Sequence, residues 1–155
     1  MNVLCLNRLG LGAAETVANL HGLLRRFAPK VALLSETKKS KSEMDRILHK
    51  IGDFFGIFVD AKGWAGGLAL HWDKSMTVDL LSCSFHHIDV SITLAGVNST
   101  WRFTGIYGWS ESQQKWKNGH LIMDLKPRSS LPWLVGGDLN EIFYHSEKKG
   151  GPSKA

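Results

Sequence analysis

The chain of 155 residues has a mass of 17.2 kDa, which is the size of a single globular domain. Hydrophobic residues make up 43% and charged residues 21% of it, and this composition excludes a wholly disordered chain. Nineteen Lys and Arg residues stand against 14 Asp and Glu residues, and the resulting charge of +5 modestly favours a polyanionic partner.

The sequence contains no apolar run of the roughly 18–20 residues needed to cross a bilayer. Polar Asn7 and Arg8 interrupt the stretch in which a signal peptide would be apolar. The two cysteines, Cys5 and Cys83, lie in apolar segments without a metal-binding neighbour, which predicts buried free thiols. We therefore expect an intracellular protein, nuclear or cytoplasmic, without membrane contact.

The first predicted elements are a strand, a helix and a second strand. Residues 3–6 form a short apolar strand segment, and a Gly-rich loop at residues 10–12 follows it. Apolar residues then recur at helical spacing up to Pro29, which cannot continue a helix, and residues 31–34 form the next apolar strand segment. Elements of these lengths predict a crossover that places both strands parallel in one sheet.

A second helix and a series of strands come next. Ser40 and Glu43 have the spacing of a capping box, and Gly52 is placed to end the helix. Beyond it the hydrophobic period approaches two, which predicts strands at residues 54–59, 67–72, 76–85, 88–94 and 100–107. In the fourth of these, apolar residues alternate with Asp89, Ser91 and Thr93, a pattern typical of a sheet with one face in water.

The last predicted elements are a helix and a strand. Ser110 and Gln113 could cap the helix, one face of which carries Trp116, His120 and Met123. Residues 131–135 are predicted to form a buried strand, and a Gly-rich segment follows it directly. The fold class is therefore α/β (α+β), with mostly antiparallel strands in the middle of the chain.

Polar side chains follow three of the buried strands. They are Asn7, Glu36, Asp138 and Asn140. Ligand sites of open α/β sheets form at such strand ends, because the loops converge there. Glu36 and Asp138 are hard oxygen ligands suited to Mg²⁺, and the two asparagines can add neutral donors or acceptors. Each of these residues on its own is more simply explained as a cap or a turn residue.

Five short segments together resemble one known family. They are Asn7 with Gly10-Leu11-Gly12, Ser35-Glu36-Thr37-Lys38, Gly66-Gly67-Leu68-Ala69-Leu70, Gly105-Ile106-Tyr107-Gly108 and Gly137-Asp138-Leu139-Asn140. In this order they resemble the endonuclease/exonuclease/phosphatase family, whose DNase I-like fold is a two-sheet sandwich with flanking helices. The sequence is especially similar to the endonuclease domain of plant non-LTR retrotransposons, in which a comparable Glu-Lys-Lys-Gly-Gly stretch follows the Asp-x-Asn motif. The resemblance covers essentially the whole chain.

The resemblance implies a role for each matching residue in the hydrolysis of a DNA phosphodiester. Glu36 would be the principal ligand of Mg²⁺, for which Mn²⁺ could substitute, and Asn7 would support the metal or its water. Tyr107 would hydrogen-bond the scissile phosphate. Asp138 would activate the attacking water, and Asn140 would position the phosphate or that water.

Two further residues are candidates for contact with nucleic acid. Lys38 could touch a phosphate or pair with the acidic residues, and it is equally well explained as a solvated lysine. Trp109 follows Tyr107 closely enough to stack on a base, although most of the six tryptophans are expected to fill the core.

The sequence departs from the family pattern in two places. The loop after Asn7 reads Arg8-Leu9-Gly10 where the family usually has Cys-Arg-Gly. Family members also continue past the Asp-x-Asn motif to a Ser-Asp-His motif, whose histidine binds the phosphate or acts as acid or base, and this sequence lacks it. We therefore expect a C-terminally truncated domain at residues 1–145, a solvated tail at 146–155, impaired turnover, and an uncovered sheet edge that favours self-association.

Two alternative functions stay open on the sequence. The chain could be a non-catalytic remnant that binds nucleic acid weakly through its positive charge. It could also be a phosphatase of the same fold that acts on a small phosphate ester, although the retrotransposon-like motifs argue against that function.

Overall fold

The structure, a computed structural model, describes residues 1–7, 10–141 and 146. Three α-helices lie in this part of the chain, α1 (Ala14–Phe27), α2 (Lys41–Ile51) and α3 (Trp116–Leu125), and a short 3-10 helix at Lys126–Arg128 follows α3. The strands there are β1 (Val3–Leu6), β2 (Val31–Ser35), β3 (Phe54–Lys62), β4 (Ala65–Asp73), β5 (Met76–Ser84), β6 (His87–Leu94), β7 (Thr100–Tyr107) and β8 (Trp133–Asp138).

The strands form two four-stranded mixed sheets. The first sheet has the order β1-β2-β4-β3 and the second has the order β5-β6-β7-β8. β1 and β2 are parallel across the α1 crossover, which confirms that prediction. β7 and β8 are also parallel, and the chain between them contains α3. Two mixed sheets with flanking helices confirm the predicted α+β sandwich.

The core lies on both faces of the first sheet. On β2, Val31 and Leu33 point into a cluster that also contains Ile88 and Phe103 of the second sheet. The alternate residues of the same strand pack against α1 and α2, as Leu34 does. Every residue of β2 is therefore buried, which explains why this strand is continuously apolar in sequence.

The start of α2 is as predicted, and the start of α3 is not. Ser40 Oγ accepts a hydrogen bond from the Glu43 amide at 3.3 Å, and the Glu43 carboxylate accepts one from the Ser40 amide at 2.9 Å. α3 begins at Trp116 without a side-chain cap, so the predicted cap at Ser110 is wrong. Residues 112–115 form a turn before this helix.

The face of α3 that carries Trp116 and Met123 is turned to solvent, and the expected wet face of β6 is corrected. Trp116 and Met123 of α3 are 64% and 67% exposed, whereas Asn118 is buried. On β6 the predicted wet face is wrong at Asp89, which is 1% exposed. Its carboxylate accepts hydrogen bonds from Arg102 at 2.7 Å and from Thr104 at 2.6 Å, and this pairing allows a charge to be buried.

The last strand and the cysteines are more exposed than predicted. The strand is β8, which begins two residues later than expected and leaves Leu134 46% exposed, because β8 lies at the edge of its sheet. Cys5 and Cys83 are free thiols as predicted, but both are exposed, because they lie on the edge strands β1 and β5. Ser146 apart, the expected tail at 146–155 lies outside the described residues. No helix of the described residues is long and apolar enough to span a membrane.

Candidate active site

The predicted site residues meet at one end of the sandwich. Asn7 follows β1, Glu36 follows β2, and Tyr107 and Asp138 end β7 and β8. β1 is parallel to β2, and β7 is parallel to β8, so the two strands of each pair end on the same side of their sheet. Tyr107 and Asp138 are register partners at the ends of β7 and β8. Residues that are up to 131 positions apart in sequence therefore contact one another.

Asn7 connects the two sheets across the site. Its Nδ2 donates to Oδ2 of Asp138 in the second sheet. Its Oδ1 accepts a hydrogen bond of 2.9 Å from Ser35 Oγ in the first sheet. Together with Leu6 and Leu33, these residues line a cleft of about 70 Å³ between the sheets. Asn7 therefore holds the Asp138 carboxylate beside this cleft.

Tyr107 and Glu36 form the second contact between the sheets. The Tyr107 hydroxyl donates to Oε1 of Glu36. Loss of solvent around the phenol, and then the hydrogen bond and charge of Glu36, raise the pKa of Tyr107 well above its usual value. The phenol consequently keeps its proton at neutral pH and remains a hydrogen-bond donor.

The loop that carries Glu36 is held tightly against a pair of glycines. Glu36 and Lys38 both have a φ of 57°, in the left-handed region. The amides of Thr37 and Lys38 donate to the carbonyls of Gly67 and Gly66 at 3.3 and 2.9 Å. A Cβ on Gly67 would lie 2.2 Å from Thr37 Oγ1, so only glycine permits this approach. The glycine pair therefore determines where the Glu36 carboxylate lies.

Asn140 stabilises the loop after β8. Its amide donates to Asp138 Oδ1 at 2.8 Å, and its side-chain Nδ2 donates to the Gly108 carbonyl at 2.7 Å. Asn140 itself has a left-handed φ of 54°, which asparagine tolerates better than most residues. Its side chain thus ties the loop after β8 to the chain that follows Tyr107, and its role in positioning phosphate or water stays a prediction.

Asn118 is a residue of this site that the sequence analysis missed. Its side chain is buried on α3, where Oδ1 accepts from the Trp109 amide at 2.8 Å and Nδ2 donates to the Leu139 carbonyl at 2.9 Å. It thus joins the loops that follow β7 and β8. Asn118 is one of several polar residues of α3, and nothing in the sequence distinguishes it from those that are exposed.

The two predicted nucleic-acid contacts lie at the border of the site. Lys38 is exposed on the loop next to Glu36. The Trp109 ring stacks on His86 with centroids 3.6 Å apart and 20° between the planes. His86 was also missed, and its Nδ1 lies 2.7 Å from the Tyr107 carbonyl oxygen. Desolvation lowers the pKa of His86, so this ring is neutral at neutral pH.

The oxygen-rich set of side chains could hold a divalent cation. The described residues contain no group of three or more His, Cys, Asp or Glu side chains that could hold a metal ion by themselves. Mg²⁺ commonly needs only one or two carboxylates, because water and substrate phosphates supply its other ligands. Glu36, Asp138 and the amide oxygen of Asn7 are hard donors of the type that this ion prefers, so the donor set fits Mg²⁺.

Residues 1–152 match the profile of the Endonuclease/Exonuclease/phosphatase family. The chain belongs to this family. No curated protein sequence matches the chain.

Solved structures of distant relatives share the fold. Truncated TDP2 of Caenorhabditis elegans is 14% identical with a TM-score of 0.63, and the match covers 97% of this chain and 65% of that protein. TDP2 of D. rerio, complexed with a single-strand DNA product, is 15% identical with a TM-score of 0.62, covering 90% and 60%. An AP endonuclease of Leishmania major is 12% identical with a TM-score of 0.70, covering 97% and 58%. The match thus spans less than two thirds of each relative, and these likenesses establish the DNase I-like fold.

Proposed function

We propose that the chain is a hydrolase of DNA phosphodiesters that uses Mg²⁺, or Mn²⁺ in its place. The observation that carries this proposal is the convergence of Asn7, Glu36, Tyr107 and Asp138 from four strand ends into one group of hydrogen-bonded side chains. Family membership supports phosphodiester hydrolysis, and the DNA product bound to a TDP2 relative supports DNA as the substrate.

In this proposal Glu36 and the Asn7 amide oxygen would hold the cation. A bound divalent cation supplies positive charge that offsets the charge developing on the phosphate. Asn7 Oδ1 accepts from Ser35, and because an amide oxygen has two lone pairs, this hydrogen bond is compatible with metal ligation. The glycine-bound loop fixes the Glu36 carboxylate before substrate arrives, which lowers the entropic cost of assembling the site.

Tyr107 and Asp138 act on the phosphate and the water. The protonated phenol of Tyr107 donates a hydrogen bond to a phosphate oxygen as negative charge builds up there. Asp138 accepts a proton from the attacking water, since Asn7 and the Asn140 amide hold its carboxylate in a fixed orientation. Asn140 positions this loop, and Lys38 and Trp109 contact the flanking phosphate and base.

Finer aspects of this proposal rest on the motifs and on the open sheet edge. The Glu-Lys-Lys-Gly-Gly stretch at residues 147–151, which lies outside the described residues, supports a retrotransposon-type endonuclease, and for such an enzyme we propose a nuclear or cytoplasmic location. The edge of β8, with Leu134 exposed, supports self-association. Impaired turnover stays a prediction, and the absolute nicking rate of the 155-residue chain would test it.

A plasmid-nicking assay with Mg²⁺ tests the proposal. We expect nicking that a chelator abolishes and that Glu36→Gln and Asp138→Asn each lower by about 100-fold or more. Matched controls are Glu15→Gln and Asp79→Asn, which make the same chemical changes at exposed carboxylates and should nick at the wild-type rate.

Three outcomes would contradict the proposal. Equal nicking by the site variants and the wild type would identify a contaminating nuclease. Salt-sensitive retention of DNA without nicking would favour the non-catalytic remnant. Hydrolysis of small phosphate esters without any DNA nicking would favour the phosphatase.

A further inference from the structure

A row of aromatic side chains flanked by lysines lies beside Tyr107. Its rings belong to the β3–β4 hairpin, to the β5–β6 turn and to the loop after β7. We call this set the aromatic row: Lys62, Trp64, Phe85, His86, Trp109 and Lys117.

The inner part of the row is built on contacts with the candidate active site. His86 stacks on Trp109 and lies nearly parallel to the Tyr107 ring at 6.0 Å between centroids. Phe85 meets Tyr107 edge-on at 6.3 Å. Lys117 Nζ lies 5.8 Å from the centroid of Trp109. The rings thus continue from the ring of Tyr107, whose hydroxyl is proposed to bind the scissile phosphate, onto half-buried surface.

The outer part of the row is the tip of the β3–β4 hairpin. Lys62 pairs with Ala65 across a two-residue turn, and Lys62 Nζ lies 4.9 Å from the Phe85 centroid. The hairpin packs closely on this ring, because a Cβ on Gly66 would lie 2.2 Å from Phe85 Cζ. Trp64, in the turn itself, is 93% exposed. An indole that is exposed to this degree adds little to the stability of the fold, and its ring is accessible to a ligand.

We propose that the aromatic row binds unpaired bases of a nucleic acid strand next to the scissile phosphate, and this inference rests on the proposed function. Unstacked bases offer their faces to aromatic rings irrespective of sequence, and lysines between the rings can contact the phosphates. Lys62 and Lys117 flank the neutral His86, which keeps the stacking surface apolar between two cations. Bases inside an intact duplex are stacked on one another and cannot use such a surface, so the substrate class is single-stranded or locally melted DNA.

The charge of the row favours nucleic acid over a protein partner. Two of its six side chains are lysines, and each lies over an aromatic ring of the row. Protein interfaces are depleted of lysine relative to the rest of the surface, whereas strand-binding grooves combine lysine with aromatic rings.

The test is binding of fluorescent oligonucleotides in chelator, where no turnover occurs. The probes are a dT oligonucleotide of about 15 nucleotides, an abasic strand of equal length, and a duplex of that length. We expect dT to bind tightest, because only dT offers free bases as well as phosphates. Lys62→Gln should lower the slope of log Kd against log salt concentration by about one, because one phosphate contact is lost. Lys74→Gln is the control and should leave the slope unchanged, since Lys74 also lies over an exposed ring, that of Phe55, but outside the aromatic row.

Trp64→Ala is the decisive variant, since loss of an exposed side chain leaves the fold intact. We expect its Kd for dT to rise about fivefold or more, with affinity for the abasic strand unchanged. Trp64→Phe should restore most of the affinity, and Trp109→Ala should act in the same direction. Phe27→Ala is the matched control, because Phe27 is an exposed ring under a cation, Arg26, at the end of α1.

Several results would overturn the inference. Equal affinity for dT and the abasic strand, or a duplex bound more tightly than dT, would exclude base stacking as the source of affinity. Self-association that depends on Trp64, without dT binding, would assign the row to a protein partner. If Glu36→Gln left nicking unchanged while dT binding still required Trp64, the proposed function would fail and the row would stand. If Glu36→Gln abolished nicking but dT binding did not require Trp64, the proposed function would stand and only the role of the aromatic row would be wrong.

Discussion

Tyr107 serves as a neutral donor only while its phenol is protonated. Burial and Glu36 raise its pKa, so we expect no loss of function from phenol ionisation as the pH rises through the usual titration range of tyrosine, near 10. Tyr107→Phe removes the donor and should lower the nicking rate by about 100-fold. The pH profile of the ratio between wild-type and variant rates measures this, and the ratio should stay flat up to about pH 10.

A fall of that ratio near pH 9 would show that the phenol titrates too early for the proposed role. Thermal unfolding provides the control. The Tyr107→Phe variant keeps the aromatic ring and its contacts with Phe85 and His86, so the melting temperature should change little.

His71 makes the stability of the fold depend on pH. It is 1% exposed on β4, where burial lowers its pKa to about 4, and neither ring nitrogen has a hydrogen-bond partner among the described residues. The unfolded chain binds a proton at this residue near pH 6.5, whereas the folded chain does not, so stability falls as the pH drops from about 7 towards 4. We expect His71 to contribute about 2 kcal/mol of this loss between about pH 7.5 and 5.

Urea unfolding of His71→Leu at both pH values measures that contribution. The variant should lose about 2 kcal/mol less on acidification than the wild type does. The control is His49→Leu, which removes a histidine whose side chain is 77% exposed and should keep the wild-type pH dependence. An unchanged loss in His71→Leu would mean that its ring is protonated inside the fold.

At the scale of elements, the contact between β4 and the end of β2 positions the Glu36 carboxylate. Gly67 has a φ of +92° and lies so close to Thr37 that a Cβ would meet Oγ1 at 2.2 Å. Gly67→Ala should therefore cost about 1–3 kcal/mol of unfolding free energy and also lower nicking, because the loop must move.

Gly22→Ala is the matched control for this substitution. Gly22 lies in α1 with open space where its Cβ would be, so alanine there should be neutral or stabilise the helix by up to about 1 kcal/mol. Urea unfolding and the nicking rate separate the two variants. If Gly67→Ala had wild-type stability and activity, the loop would accommodate a Cβ at this position, and the close contact with Thr37 would not determine where Glu36 lies.

Sequence patterns correctly predicted those features that depend on residues or elements adjacent along the chain. The Ser40 capping box was correct because it depends on two residues three positions apart, and the β1-α1-β2 crossover was correct because the lengths of its three consecutive elements favour a parallel pairing. Asp89 was wrong because its alternating pattern is that of a wet face, whereas its partner Arg102 comes from β7. The Trp133 ring of β8 lies against that guanidinium at 4.6 Å between Cζ and the ring centroid, and no local pattern reports this cover.

The candidate site shows the same division. Three of the four residues that converge, Asn7, Glu36 and Asp138, were named from their positions after apolar strands, whereas Tyr107 was named only through the family resemblance. His86 and Asn118 act through partners 21 residues away, on the Tyr107 and Leu139 carbonyls, which neither spacing nor composition indicates. Residues that hold other residues in place are therefore the part of a site that a single sequence does not reveal.

For the whole molecule, the two outer edges of the second sheet differ in their capacity to pair. β8 is regular along its whole pairing with β7, and no strand of the described residues pairs with its other edge. β5, at the opposite edge, has a register shift between Leu80 and Ser82, and such irregularities protect edges from pairing. Self-association should therefore use β8.

Leu134→Lys tests the β8 edge by sedimentation velocity over a range of protein concentration. Two copies paired through β8 would bring like charges together, so the variant should stay monomeric where the wild type associates. Leu80→Lys is the control, because Leu80 on β5 is 47% exposed against 46% for Leu134. Since the two substitutions change charge equally, a difference between them would come from the edge that pairs, whereas equal dissociation would indicate a non-specific effect of charge.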